Sequence, residues 1–298
     1  MTGGSNYISF AMAIARPIIG CYHLDADLCE SHMQAMYDNG QRKIAFFIWF
    51  TQVPANAPIK DVWLMAINSR GGKLSGQHCQ NLSDVINLAH EIGFQEIIVR
   101  IGPIGVSGML GKAWNQAVFD ENLSFIMDVV ATAESTGYVN GYDLGVEGIR
   151  PDETSAKQYI TGVWEAFTDK YGPAKGALGI GSGSSPKLTA RRATALFSWL
   201  KDAGLPLPGR YSIDCYSRQR DVLKALHDVM VKNGVGKKPV ILQECFYNEA
   251  LTAQEIKKVK AIPGLKLRSI YQWPLERGSG QKDQSVIYTP LWDNYQGL

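Results

Sequence analysis

Two glutamates stand at the ends of apolar stretches that are predicted to be β-strands. Glu147 closes the run Tyr142–Glu147, and Glu244 closes the run Val240–Glu244. If both strands belong to one parallel barrel, both carboxyl groups point toward its mouth. Glycosidic cleavage needs such a pair: one carboxylic acid protonates the leaving oxygen, and the other carboxylate attacks the anomeric carbon or activates water. We therefore predict Glu147 as general acid/base and Glu244 as nucleophile, although each alone would also fit a structural ion pair with an arginine.

The elements that must position these glutamates follow a regular order, because short β-rich apolar runs alternate with amphipathic stretches along the whole chain. This alternation is typical of parallel βα units. Eight strands, with no GxGxxG after the first, favour a closed barrel over an open sheet. We predict one α/β domain over residues 1–298, a (β/α)8 TIM barrel whose last helix is short or missing, since Gly, Pro and Asp interrupt the chain after Trp273. The predicted strands are Ile18–Leu24, Lys43–Phe50, Glu96–Ile101, Gly141–Glu147, Ala177–Gly181, Arg210–Tyr216, Val240–Cys245 and Arg268–Trp273. The predicted helices are Asn81–Ile92, Asp120–Ser135, Ser155–Tyr171, Leu188–Ala203, Arg218–Asn233 and Ala253–Ala261.

Composition argues against several other kinds of protein. The chain has 30 basic and 28 acidic residues, a net charge of +2, which gives no nucleic-acid or polybasic membrane signal. No apolar run reaches the roughly 20 residues that span a bilayer. The five cysteines and five histidines form no CxxC, HxH or HExxH pattern, so we expect neither a metal nor another cofactor. The expected partner is a carbohydrate substrate, and the oligomeric state stays open.

The N-terminal segment Met1–Ser5 has neither the charged start nor the long apolar stretch of a signal peptide. A secreted or periplasmic location is expected if this segment replaces a signal peptide, and a cytoplasmic one otherwise. The sequence leaves the compartment open.

Several polar side chains lie near the ends of predicted strands. Tyr216 would hydrogen-bond the Glu244 carboxylate, or be a buried tyrosine bonded to backbone. Arg100 would pair with Glu244, bind an anionic substituent of the substrate, or neutralise buried carboxylates. Asp214 would support its neighbours, and His23 would bind a sugar hydroxyl or be a satisfied core histidine.

Two strand tryptophans are candidates for sugar stacking. Trp273 and Trp49 both lie in predicted barrel strands, and sugar rings present apolar C–H faces that suit aromatic side chains. The alternative for each is that the indole fills the core.

Four short motifs occur together in chain order. They are Phe46–Phe50 followed by Pro54 in the second predicted strand, Ile98–Pro103 in the third, Ile213–Tyr216 in the sixth, and Ile270–Trp273 in the eighth. Together they resemble clan A glycoside hydrolases, and the first two resemble the β-galactosidase branch of that clan. The resemblance implies catalytic glutamates at the ends of strands four and seven, here Glu147 and Glu244. It also implies that Tyr216 contacts the nucleophile and that Trp273 floors the sugar site.

Two positions depart from that family pattern. Val146 stands where the clan usually has an Asn that binds the sugar 2-hydroxyl, and Gln243-Glu244-Cys245 replaces the more usual Thr-Glu-x-Gly. The leading hypothesis is a retaining glycoside hydrolase that cleaves an oligo- or polysaccharide by a two-glutamate double displacement. The alternative, favoured by Val146, is a catalytically silent barrel that binds a glycan or serves polysaccharide assembly.

Other barrel chemistries find less support in the sequence. No strand-end lysine suggests a Schiff-base aldolase, and the glycine-rich stretch Gly181–Ser185 follows strand five rather than strands seven and eight, where phosphate sites form. A cysteine nucleophile needs a neighbouring base, which only Cys21 has, in His23. Cys215 and Cys245 are interpreted as small buried hydrophobic residues.

Overall fold

A computed structural model describes residues 4–6, 26–38, 40–52, 67–103, 113–144, 150, 152–183, 185–245 and 249–272. Within these ranges, strands and helices alternate. The strands are β1 Gly4–Asn6, β2 Lys43–Thr51, β3 Ile67–Asn68, β4 Glu96–Pro103, β5 Gly141–Asp143, β6 Gly176–Ser182, β7 Arg210–Cys215, β8 Pro239–Cys245 and β9 Lys266–Gln272. The helices are α1 Ala26–Asp38, α2 Gly76–Ile92, α3 Gln116–Ser135, α4 Thr154–Tyr171, α5 Pro186–Asp202, α6 Gln219–Lys232 and α7 Glu249–Val259.

Eight of these strands close into a parallel barrel, which confirms the predicted (β/α)8 fold. From β2 the neighbours run β4, β5, β6, β7, β8 and β9, and β1 pairs in parallel with both β9 and β2. The two-residue β3 pairs only with the end of β2 and stands outside the ring. Each barrel strand presents alternate residues to the interior and to the surrounding helices.

The first barrel strand is not where the sequence predicted it. Gly4–Asn6 occupies the position between β2 and β9, whereas the prediction was Ile18–Leu24, which lies outside the described residues. The segment Gly-Ser-Asn has no β-branched or aromatic residue, so its local propensity gives no strand signal. Backbone pairing with β2 on one side and β9 on the other holds Gly4–Asn6 in the strand conformation.

The other seven predicted strands overlap β2 and β4–β9, each beginning within two residues of the observed start. The predicted strand Gly141–Glu147 is shorter than expected, because β5 ends at Asp143, and residues 145–147 lie outside the described ranges. Helix α1 spans Ala26–Asp38, before Lys43, where no helix was predicted. The predicted short or missing last helix falls after Gln272, outside the described residues.

The helices cover the outside of the barrel with apolar faces, as α2 illustrates. Leu82, Val85 and Ile86 are buried at helical spacing, and each such side chain contributes about 1.5–3 kcal/mol by leaving water. Ser75 caps the first turn by accepting a hydrogen bond from a backbone N–H, and Gly93 ends the helix at φ 107°, a left-handed conformation that suits glycine. No helix in the described ranges is long and apolar enough to cross a bilayer.

The amino ends of the strands hold a buried polar cluster. Glu96 accepts hydrogen bonds from Tyr271, Ser269 and Arg268, and Lys43 lies 3.7 Å from its carboxylate. Burial alone would raise the pKa of Glu96. The Lys43 charge and the bonds from Ser269 and Arg268 outweigh burial and hold that pKa below its ordinary value. This end of a barrel contributes stability, while chemistry belongs to the opposite end.

Candidate active site

At the carboxyl ends of the strands, Arg100 of β4 lies among three carboxylates. Its Nη1 donates to Oε1 of Glu244 at 2.8 Å, and its Nη2 donates to Oδ1 of Asp214 at 3.1 Å. Its Nε lies 3.5 Å from Oδ2 of Asp143. The exposed side-chain fraction is 0% for Arg100, 2% for Asp143, 4% for Asp214 and 7% for Glu244. We call these four residues the Arg100 cluster.

An irregularity in β8 brings Glu244 into this cluster. Ile213 of β7 pairs with Leu242, but the next pair is Asp214 with Glu244, so Gln243 is an extra residue in β8. The pairing of β8 with β9 shifts over the same stretch. With strict alternation, Glu244 would face the same way as Leu242, toward the helices. The bulge turns it to the interior face that Asp214 occupies.

Tyr216 reaches the same carboxylate from the turn after β7. Its hydroxyl donates to Oε2 of Glu244, whereas Arg100 donates to Oε1 of the same carboxylate. The turn is held by the Gln219 side chain, which donates to the Cys215 carbonyl at 3.3 Å. Arg218, the residue immediately before α6, has φ 55° although it is not a glycine. Each Glu244 oxygen thus has its own donor, which orients the carboxylate and stabilises its charge.

Aromatic side chains of β2 lie beside the cluster. The guanidinium carbon of Arg100 stands 4.4 Å from the ring centroid of Phe47, a cation–π contact. The centroids of Phe47 and Trp49 are 4.0 Å apart with the rings tilted by 37°. Trp49 is half-buried, so its indole retains an exposed surface near the carboxyl end of its strand.

Arg100 keeps its charge inside the Arg100 cluster. Burial alone would lower the pKa of Arg100, but the carboxylates of Asp214, Glu244 and Asp143 outweigh burial and raise it above its ordinary value. The guanidinium therefore stays charged and faces three acidic groups. In the described ranges, no set of His, Cys, Asp and Glu is arranged to hold a metal ion.

The two cysteines that end β7 and β8 are core residues, as the sequence interpretation expected. Cys215 and Cys245 are each 0% exposed. Burial raises the pKa of the Cys215 thiol to about 12. A thiol held protonated in apolar surroundings is a poor nucleophile.

The structure brings together four of the residues that the sequence singled out, namely Arg100, Asp214, Glu244 and Tyr216, and it places Trp49 beside them. Three further candidates, Glu147, Trp273 and His23, lie outside the described residues.

Two members of the site escaped sequence reasoning. Asp143 is an acidic residue inside the apolar run before Glu147, and a charge in such a run was a signal that could have marked it as a site residue. Phe47 is one of several aromatic residues in β2, and sequence alone does not show which of them contacts Arg100. For Arg100, full burial among carboxylates favours the pairing and neutralising roles over direct binding of an anionic substituent.

Comparisons with known proteins show the fold and not the activity. No protein-family model and no curated protein sequence matches the chain. Among solved structures, exo-β-1,4-mannosidase Op5Man5 from Opitutaceae bacterium strain TAV5 is similar with a TM-score of 0.59 and 11% identity, over 99% of this chain and 59% of that one. The endo-1,4-β-mannanase of Rhizomucor miehei gives a TM-score of 0.55 and 10% identity, over 97% and 92%. A homocysteine methyltransferase of Escherichia coli gives 0.53 and 13%, over 97% and 94%.

This chain therefore spans about 59% of the length of the mannosidase to which it is similar. Glycoside hydrolases are prominent among the neighbours, but the methyltransferase has the same architecture, so the fold alone does not fix a reaction. What the comparisons establish is that the chain is a TIM barrel of the kind that glycoside hydrolases use.

Proposed function

We propose that the protein is a retaining glycoside hydrolase that cleaves an oligo- or polysaccharide, with Glu244 as nucleophile and Glu147 as general acid/base. The observation that carries this proposal is the environment of Glu244. A carboxylate at the carboxyl end of a barrel strand accepts one bond from Arg100 and another from Tyr216. An ionised carboxylate has about four acceptor positions, so lone pairs remain for attack on a substrate.

The reaction then follows from the two carboxyl groups. Glu244 attacks the anomeric carbon while Glu147 gives its proton to the leaving oxygen, and the glycosidic C–O bond breaks. Water next attacks the glycosyl-enzyme ester, Glu147 takes a proton from that water, and Glu244 leaves as a carboxylate. For this double displacement, the two carboxyl groups must stand about 5–5.5 Å apart. Trp49 and Trp273 are assigned to stacking on the sugar, and His23 to a hydroxyl.

The direct test is covalent capture of the nucleophile. A panel of 2-deoxy-2-fluoro glycosides with activated leaving groups, covering several sugars and both anomers, is incubated with the protein. We expect at least one to add the mass of one glycosyl unit to the peptide that contains Glu244, because such compounds form the intermediate faster than it hydrolyses. Labelling of another residue would show that Glu244 is not the nucleophile.

The Tyr216 hydroxyl should matter for turnover more than for substrate binding. Tyr216→Phe removes one bond to a charged carboxylate, worth about 1.5–3 kcal/mol, so we expect kcat to fall roughly 10–100-fold with a smaller change in KM. Steady-state kinetics across pH measure both. The matched control is Tyr211→Phe on β7, the strand that precedes the turn of Tyr216, because the buried Tyr211 hydroxyl has no hydrogen-bond partner among the described residues. Equal losses in the two variants would remove Tyr216 from the mechanism.

The alternative is a catalytically silent barrel that binds a glycan or serves polysaccharide assembly. The residue that favours it is Val146, which cannot give the 2-hydroxyl the hydrogen bond of the usual Asn. Two results together would establish this second function. A glycan would bind the wild type tightly without being cleaved, and the fluoro glycosides would not label Glu244.

A further inference from the structure

Eight of the 30 basic residues of the chain stand in two short segments, 231–239 and 256–268, which contain none of its 28 acidic residues. The first segment runs from the end of α6 into β8, and the second runs from the end of α7 into β9. Seven of the eight are lysines, one is Arg268, and all are exposed. We call these eight residues the basic face. The net charge of +2 therefore hides an uneven distribution of charge.

The fold brings the two segments together at the amino ends of the strands. In a βα barrel the helices run back along the strands, so the last turns of α6 and α7 lie near the starts of β8 and β9. Pro239 of β8 pairs with Lys266 of β9, which places the two lysines before Pro239 beside Lys266. His227 of α6 touches both connections: its Nε2 lies 3.1 Å from the Gly236 carbonyl oxygen, and a Cβ added to Gly264 would lie 3.5 Å from its ring.

Local stabilisation accounts for only part of this charge. Lysines in the last turns of α6 and α7 stabilise those helices through the helix dipole. Arg268 has a carboxylate partner in Glu96. Three lysines stand outside the helices, and none of them pairs with an acidic side chain of the described residues; they are Lys237, Lys238 and Lys266. Like charges gathered at one place repel one another, so their accumulation points to an anionic partner.

The residue types indicate which kind of anionic partner fits. Lysines present separate point charges, and a single arginine gives little of the forked recognition that a specific phosphate or carboxylate receives. Neither segment has an aromatic residue on which a nucleic-acid base could stack. The first segment does have Val231, a large apolar side chain that is 55% exposed. Lysines around an exposed apolar residue suit a bilayer surface, where they meet anionic headgroups while the apolar group enters the interface.

We propose that the basic face docks the protein on the surface of a bilayer that contains anionic phospholipids. The Arg100 cluster lies at the opposite, carboxyl ends of the strands, so the docked protein presents its candidate active site to the solution. The proposal goes beyond the proposed function and does not depend on which reaction the site performs.

Co-sedimentation of the full chain with phosphatidylcholine vesicles, with and without about 30% phosphatidylserine, tests the docking. We expect binding to the anionic vesicles only, and we expect it to be lost as NaCl rises from about 0.1 M to about 0.5 M, because salt screens exposed charges. Equal binding to both kinds of vesicle, or binding to neither, would overturn the proposal. Binding to a mixed-sequence DNA duplex without binding to anionic vesicles would also overturn it and assign the basic face to nucleic acid.

The double variant Lys237→Gln, Lys238→Gln removes two exposed charges from the connection before β8. Each lysine near an anionic surface strengthens binding roughly fivefold, so we expect the apparent dissociation constant for anionic vesicles to rise at least about tenfold. The matched control is Lys73→Gln, Lys187→Gln, which removes two exposed charges before α2 and at the start of α5, near the carboxyl ends of the strands. Equal losses in the two double variants would show that the basic face is not the docking surface.

Val231→Asp tests the apolar contact with little risk to the core, because more than half of this side chain is exposed. We expect it to weaken vesicle binding about fivefold to tenfold, whereas Ala113→Asp, an exposed position before α3, should have no such effect. Wild-type binding by Val231→Asp would place the bilayer on another surface. Vesicle binding is measured without a glycan, so its failure leaves the hydrolase proposal standing, and failure to label Glu244 leaves the docking standing.

Discussion

Glu244→Ala should lose at least about four orders of magnitude in turnover on every glycoside, whatever its leaving group, because in the proposed mechanism Glu244 is the group that forms the glycosyl-enzyme bond. Glu147→Ala should behave differently. A substrate with a very good leaving group needs no proton, so this variant should still glycosylate Glu244 and show a burst, followed by slow hydrolysis. Azide should then restore turnover by entering the space that the carboxylate vacates and attacking the intermediate.

Stopped-flow bursts and the dependence of kcat on azide measure these outcomes. The control is Glu153→Ala, a partly exposed glutamate paired with Arg150 on the surface, which should turn over like the wild type. Loss of the burst in Glu147→Ala with an activated substrate would mean that Glu147 has another role than that of the acid. Residual turnover of Glu244→Ala on ordinary substrates would exclude Glu244 as the nucleophile.

The features that sequence predicted are those that depend on local pattern. Apolar runs of β-forming residues predicted β2 and β4–β9, and Glu244 was noticed because charge is rare near the end of such a run. The arrangement in the ring then follows from chain order, since consecutive parallel strands in a βα fold become neighbours. Arg100 of β4 and Glu244 of β8 lie on strands that are not neighbours, and their side chains meet across the interior of the closed ring.

What sequence could not predict depends on contacts between distant segments. The three residues of β1 have no strand propensity and are ordered by partners some 40 and 270 positions away. The bulge at Gln243 is invisible in a single strand, because it is defined by the register of both neighbours. The contact between Asp143 and Arg100 could not be predicted from the apolar run that contains Asp143, because Arg100 lies on another strand.

Arg100→Met should be the most destabilising single change in the site. It leaves the carboxylates of Asp143, Asp214 and Glu244 buried together without their cation, and breaking a buried pair in this way costs about 3–5 kcal/mol in the free energy of unfolding. Arg100→Lys should lose less, since an ammonium keeps the charge but cannot reproduce the fork that bridges Glu244 and Asp214.

The sign of the pH dependence distinguishes lost charge compensation from lost packing. In Arg100→Met the crowded carboxylates are destabilising when ionised, and folding then favours their protonation. The variant should therefore recover stability relative to the wild type as the pH falls from about 7 to about 5, whereas a packing defect would cost the same at both. Urea unfolding at the two pH values measures the difference.

The control is Arg220→Met, which breaks only an exposed pair with Asp221 and should lower the free energy of unfolding by less than about 1 kcal/mol at either pH. A pH-independent loss in Arg100→Met would show that the guanidinium acts there as a space-filling group and not as the counter-charge that holds Glu244 in place.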